Sequence, residues 1–132
     1  MNAELMPDQH QSIVVVEDDA GMSKAIVRLL RAGGFQPKSF ASAEELLQTD
    51  AAGEADCLVL DIHLPGVSGF ELRRRLTALG QNAPVIFITA QDEASTRAEA
   101  EQLGCIAYFR KPFQGSTLLE AIRQALNLAT KH

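Results

Sequence analysis

The chemistry available to this sequence lies in four carboxylates, one threonine and one lysine. Glu17, Asp18 and Asp19 stand together after an apolar run at residues 13–16, and Asp61 closes a second apolar run at 57–60. Thr89 ends a third run that begins at residue 85, and Lys111 follows a fourth at 105–109. Carboxylates clustered without His or Cys repel one another unless a proton or a cation intervenes. A few carboxylates plus water suit Mg²⁺ better than Ca²⁺, which takes a larger dedicated cage of oxygens. A carboxylate can also be a nucleophile toward phosphorus and form an aspartyl phosphate. An ammonium pairs with phosphoryl oxygens, and a hydroxyl can donate to one. Asp61 is the expected nucleophile because it stands alone, whereas Glu17 and Asp18 read as metal ligands. Asp19 is the alternative ligand, or the cap of the helix that follows. Each residue has an ordinary reading as well: a strand-end acid is most often a cap, a Thr is a β-former, and a Lys is solvated. The joint placement at four strand ends is the signal.

These groups meet only if the runs are parallel strands whose C-terminal ends share one edge, where open α/β sheets place their sites. Short continuous apolar runs bounded by turn residues read as strands buried on both faces. Strands are expected at 13–16, 35–40, 57–61, 85–89 and 105–109, the second confined to an edge by Pro37. Between them, helical spacing appears from Met22 to Leu30 with a stop at Gly33-Gly34. Ser42 with Glu45, and Ser68 with Glu71, form the capping-box pattern that opens two more helices. The second of these is expected to turn Leu72, Leu76 and Leu79 inward and to end at Gly80. Residues 50–56 read as a polar loop. A helix from Asp92 or Glu93 to Gly104 offers only Ala94, Ala98, Ala100 and Leu103, so it should pack lightly. A last helix carries Leu118, Leu119, Ile122, Ala125 and Leu126 and runs to about residue 130. Five strand–helix alternations imply an α/β fold, a doubly wound five-stranded parallel sheet with helices on both faces.

The chain of 132 residues fits one domain, here residues 12–130, preceded by a polar, aperiodic N-terminal tail at 1–11. Its net charge of −5 argues against direct nucleic-acid binding, and its only run of bases is Arg73-Arg74-Arg75, read as the solvated side of a helix. Cys57 and Cys105 read as two buried thiols. No apolar run approaches transmembrane length and the N-terminus shows no signal-peptide pattern, so no membrane partner and a cytoplasmic location are expected.

The segments V-V-V-E-D-D, L-V-L-D-I-H-L-P-G-V-S-G, V-I-F-I-T-A and Y-F-R-K-P-F occur in this order over nearly the whole chain. In these segments the chain resembles a receiver domain of the bacterial two-component response regulators. The resemblance implies the flavodoxin-like strand order 2-1-3-4-5 and a phosphorylation-dependent signalling switch rather than a metabolic enzyme. By the same match, Asp61 accepts a phosphoryl group from a phosphohistidine of a histidine kinase or phosphotransfer protein. Glu17, Asp18, Asp61 and the backbone carbonyl of His63 hold Mg²⁺, Thr89 and Lys111 bind the phosphoryl oxygens, and Tyr108 is the aromatic switch residue. The Lys111–Pro112 bond is expected to be cis. His63 and Gln91 occupy positions that tune hydrolysis of the aspartyl phosphate, and Gln114 stands where relatives often place an Asp cap. A downstream protein is expected on the face formed by residues 92–130, and the resemblance allows a homodimer on phosphorylation. Three other readings compete. A flavin-binding module of the same topology would want a Ser/Thr/Gly-rich phosphate loop after the first strand, where this chain has three carboxylates. An aspartate-nucleophile phosphatase wants a second Asp two residues after the nucleophile, where this chain has His63. A degenerate receiver acting only as an interaction module is opposed by the intact Asp61, Thr89 and Lys111.

Overall fold

The computed structural model describes residues 11–130, with side chains to 127. Most of the tail expected at 1–11 lies outside the described residues. Five parallel strands form one sheet in the order β2-β1-β3-β4-β5, comprising β1 (Ser12–Val16), β2 (Gln36–Phe40), β3 (Cys57–Asp61), β4 (Val85–Thr89) and β5 (Ala107–Arg110). The helices are α1 (Ala20–Ala32), α2 (Ala43–Leu47), α3 (Ala51–Glu54), α4 (Gly69–Ala78), α5 (Ala94–Gln102) and α6 (Gly115–Thr130). This is the doubly wound order expected, with β2 and its Pro37 at one edge.

Period-two alternation splits the core in two. Val14, Val16, Leu58, Leu60, Val85 and Phe87 face α2, α4 and α5, while Ile13, Val15, Val59, Ile86 and Ile88 face α1 and α6. β3 and β4 are buried at every position, which is why they read as unbroken apolar runs.

Several expectations need correction. The strand expected at 105–109 begins at Ala107 and extends to Arg110, and that expected at 35–40 begins at Gln36. Both offsets have one cause. Gly34 (φ +91) and Gly104 (φ +74) turn the chain out of α1 and α5, and the next amide closes the helix instead of joining the sheet. Phe35 N–H donates to the Leu30 carbonyl at 2.9 Å, and Cys105 N–H to Ala100 at 3.3 Å. Cys105 is consequently half-buried, whereas Cys57 is buried and its thiol is pushed up to about 12, chiefly by burial. Residues 50–56 contain the one-turn helix α3, whose Ala51 and Ala52 are buried.

Leu79, expected inside, is 65% exposed because it caps α4 beyond its last full turn. Arg73 is buried instead, unlike Arg74 and Arg75, and its guanidinium donates to the Ala83 carbonyl at 2.8 Å. Burial lowers its pKa. A second group of bases, Lys24, Arg28 and Arg31, shares a groove between α1 and β2 with Ser39, assembled by helical spacing rather than by a run.

Candidate functional site

The sheet register sets the C-terminal ends of four strands side by side. Val16 pairs with Leu60, Asp61 with Ile88, and Thr89 with Arg110. Glu17, Asp61, Thr89 and Lys111 therefore converge on one edge. Asp61 is held from below by α4. Gly69 N–H donates to the Ile62 carbonyl at 2.9 Å, and a Cβ on Gly69 would lie 2.2 Å from the Asp61 carbonyl oxygen. Only glycine permits that approach.

The Lys111 ammonium donates to Glu17 Oε1 at 2.8 Å and to Asp61 Oδ2 at 3.0 Å. Glu17 and Asp61 are buried, and the lysine is nearly so. Burial raises the Glu17 pKa, an effect that the Lys111 hydrogen bond only partly offsets and the Asp61 charge reinforces. For Lys111, burial pulls downward, but its bonds to Glu17 and Asp61 together with their charges outweigh it, and its pKa is raised. The lysine is thus a fixed cation between two acids. The bond from Lys111 to Pro112 is cis, as expected.

Glu17, Asp18 and Asp61 each offer a carboxylate oxygen within 4.8 Å of the others. The donor set is all oxygen and anionic, which fits Mg²⁺. Asp19 is engaged elsewhere: its carboxylate accepts from the Met22 amide at 3.0 Å as the N-cap of α1. Its own amide donates to Glu17 Oε2 at 3.1 Å, orienting that acid. Asp18, rather than Asp19, lies in the cluster of carboxylate oxygens with Glu17 and Asp61. His63 has an exposed ring, but its amide donates to Asp61 Oδ1 at 3.1 Å, which keeps its backbone beside the cluster.

Thr89 is fully buried. Its hydroxyl accepts from Gln91 N–H at 3.0 Å and donates to the Gln91 carbonyl at 3.1 Å, folding the start of the β4–α5 loop. The Lys111 amide donates to the Thr89 carbonyl at 2.7 Å, joining the two residues through the backbone. Tyr108 lies on β5, outside this cluster and half-buried. Its hydroxyl is shielded from water and forms no hydrogen bond among the described residues. Burial and the charge of Asp92 raise its pKa. The Arg97 guanidinium lies 4.4 Å from the Tyr108 ring centroid and pairs with Asp92 at 2.8 Å.

This arrangement of acids, hydroxyl and ammonium at the edge of a 2-1-3-4-5 sheet has known counterparts. The family model for the response regulator receiver domain matches residues 13–123. The chain belongs to this family. As a receiver domain of the two-component response regulators it is a signalling unit, and a phosphorylation switch is the function of such a unit. It is 38% identical over 124 residues to the response regulator protein TmoT of Ectopseudomonas mendocina, covering 94% of this chain and 56% of TmoT. The crystal structure of a response regulator receiver protein from Burkholderia phymatum matches with 40% identity and a TM-score of 0.78, covering 89% of this chain and 95% of that one. The receiver domain of Thermotoga maritima DrrB, in a BeF3-activated form, matches with 26% identity and a TM-score of 0.81, over 89% of this chain and 98% of that one. The chain spans about half the length of the curated relatives it matches. Among the described residues no helix is long and apolar enough to cross a membrane.

One residue at this edge had no signal in the sequence. Glu44 of α2 accepts the Val67 amide at 2.9 Å, although it reads as an ordinary exposed acid in a helical first turn.

Proposed function

We propose that Asp61 accepts a phosphoryl group from the phosphohistidine of a histidine kinase or phosphotransfer protein, and that residues 12–130 are the unit that does so. The observation that carries this reading is the Lys111 ammonium bonded at once to Asp61 and Glu17 at the acidic edge of the sheet. An Asp61 carboxylate oxygen donates its electron pair to phosphorus, and the nitrogen–phosphorus bond breaks with its pair returning to the imidazole. The Lys111 ammonium then has a new anionic partner in the phosphoryl oxygens, and the Thr89 hydroxyl can donate to one of them by releasing the Gln91 carbonyl. Glu17, Asp18, Asp61 and the His63 carbonyl would hold Mg²⁺, which supplies charge neutralisation for the incoming phosphoryl group.

Thr89 and Tyr108 are the switch pair in this reading. Movement of Thr89 toward the phosphoryl group frees space on the β5 side, where Tyr108 stands half-buried. The output face comprises residues 92–130, where a downstream protein or a second phosphorylated copy binds. The chain acts as a cytoplasmic signalling domain rather than a metabolic enzyme.

The test is incubation of the chain with acetyl phosphate and Mg²⁺ followed by intact-mass measurement. One phosphoryl adduct is expected, absent in Asp61→Asn. No adduct, or an adduct acquired by Asp61→Asn at the parent rate, overturns the reading. For the output face, alanine substitutions across residues 92–130 should weaken partner binding; affinity unchanged across that whole face removes it.

A further inference from the structure

The end of β2 and the start of α2 touch the site from outside, each by accepting a backbone amide. The Phe40 carbonyl accepts the Glu17 amide at 3.1 Å, which holds the first acidic arm. At the second residue of the next helix, Glu44 Oε2 accepts the Val67 amide at 2.9 Å, across 23 residues of sequence. Val67 belongs to the loop between β3 and α4, four residues beyond His63. Gly66 passes directly under the carboxylate: its φ is +75, and a Cβ there would lie 2.3 Å from Glu44 Oε2. Glycine therefore serves two ends at this point, a left-handed turn and room for the acid.

The base of α2 is itself anchored. Ser42 Oγ accepts the Glu45 amide at 3.1 Å, and Glu45 Oε1 accepts the Ala41 amide at 3.2 Å. The Val67 amide, then Glu44's own, hold the Glu44 carboxyl below its ordinary pKa, so it is ionised at neutral pH and its bond to Val67 is charge-assisted. The loop's other ties lie near its ends, at Ile62, His63 and Gly69. Glu44 is the tie at its apex.

We infer that Glu44 is a positioning residue of the phosphoacceptor site: as a latch from α2 it fixes the 63–67 loop, and with it the backbone of His63 beside the metal-holding acids. This inference rests on the reading that Glu17, Asp18, Asp61 and the His63 carbonyl bind Mg²⁺. A group that orients a ligand from behind acts on metal affinity without touching the metal. Glu44 is exposed and belongs to neither core cluster, so its loss leaves the core intact.

The test uses the full chain with Glu44→Ala and Glu44→Gln, the second of which keeps an acceptor oxygen. Two quantities are read: hydrogen exchange of the Val67 amide without metal, and Mg²⁺ affinity by calorimetric titration. Glu44→Ala is expected to speed Val67 exchange and to weaken Mg²⁺ binding on the order of 10-fold, the low end for a residue behind a ligand. Glu44→Gln is expected to recover most of both. Faster exchange in Glu44→Ala with unchanged Mg²⁺ affinity makes Glu44 a loop staple only and overturns the inference. So does Glu44→Gln as weak as Glu44→Ala, since charge rather than the hydrogen bond would then be responsible. A parent chain that binds no Mg²⁺ overturns the site reading, and the positioning role falls with it.

Discussion

Helices α5 and α6 follow one another around β5, cover opposite faces of the sheet, and are held in different ways. α6 buries Leu118, Ile122, Ala125 and Leu126 as one stripe against Ile86, Ile88 and the α1 side chains. α5 buries Ala100 alone. Polar surface contacts hold the rest of α5: Arg97 to Asp92 and to the Tyr108 ring, and Glu99 to Arg74 of α4. Apolar burial is short-ranged and hard to exchange, whereas exposed ion pairs are individually weak and easily re-partnered. The α6 side is a mount for the site, and the α5 side can be repositioned at small cost.

Substitutions can break that contrast. Leu118→Ala should destabilise the chain by about 2–5 kcal/mol in urea unfolding. A loss comparable to that of a surface substitution would mean that α6 is not the mount. At the site, Lys111→Met should slow phosphorylation by acetyl phosphate by about 100-fold, as for removal of a single electrostatic donor. It should not weaken Mg²⁺ binding, because the cation that competes for Glu17 and Asp61 is gone; weaker binding would show that Lys111 organises the acids instead. On the other helix, Ala100→Gly should cost only about 1 kcal/mol, near the intrinsic penalty of glycine in a helix. Arg97→Ala should cost less, about 0.5–1 kcal/mol, and should broaden the Tyr108 ring signals in NMR spectra. Sharp, unmoved signals would detach Arg97 from the positioning of the ring.

A pH series sharpens the site itself. The folded-state pKa of Glu17 is raised above 4.5, so the folded chain binds more protons than the unfolded one in that window. Stability of the metal-free chain should therefore fall as pH rises from about 4.5 through the folded value. Glu17→Gln should remove that slope, and Mg²⁺ should oppose it by binding the ionised folded form. Urea midpoints that rise across this window in the parent chain would contradict the burial of an ionisable Glu17.

The parts legible in the sequence are those with dense local signals. β1, β3 and β4 are apolar on both faces, so their runs are continuous and their ends are marked by a change to polar residues. The strand-end residues of the site inherited that clarity, and Asp61 was readable for the same reason. β2 and β5 were displaced because helix closure consumed the amides of Phe35 and Cys105, a competition between two hydrogen-bond partners that periodicity does not register. α3 has four residues and no period to detect. Leu79 matched the inward spacing of Leu72 and Leu76, but the helix ended before that spacing could act. Arg73 and Glu44 were invisible because each is defined by a backbone partner distant in the chain. Asp18 and Asp19 became distinguishable only when the cap on Met22 was seen.

Gly69 shows how a site can depend on a residue that contributes no atom to its chemistry. In a screen for variants that no longer accept phosphate, position 69 should score alongside Asp61. A methyl group there collides with the Asp61 peptide, and either the first turn of α4 or the end of β3 must give way. Such a variant would carry every reactive group and fail through a carboxylate displaced by its own backbone. A mutational map drawn from activity alone would then enlarge the reactive centre by one residue that is really its floor.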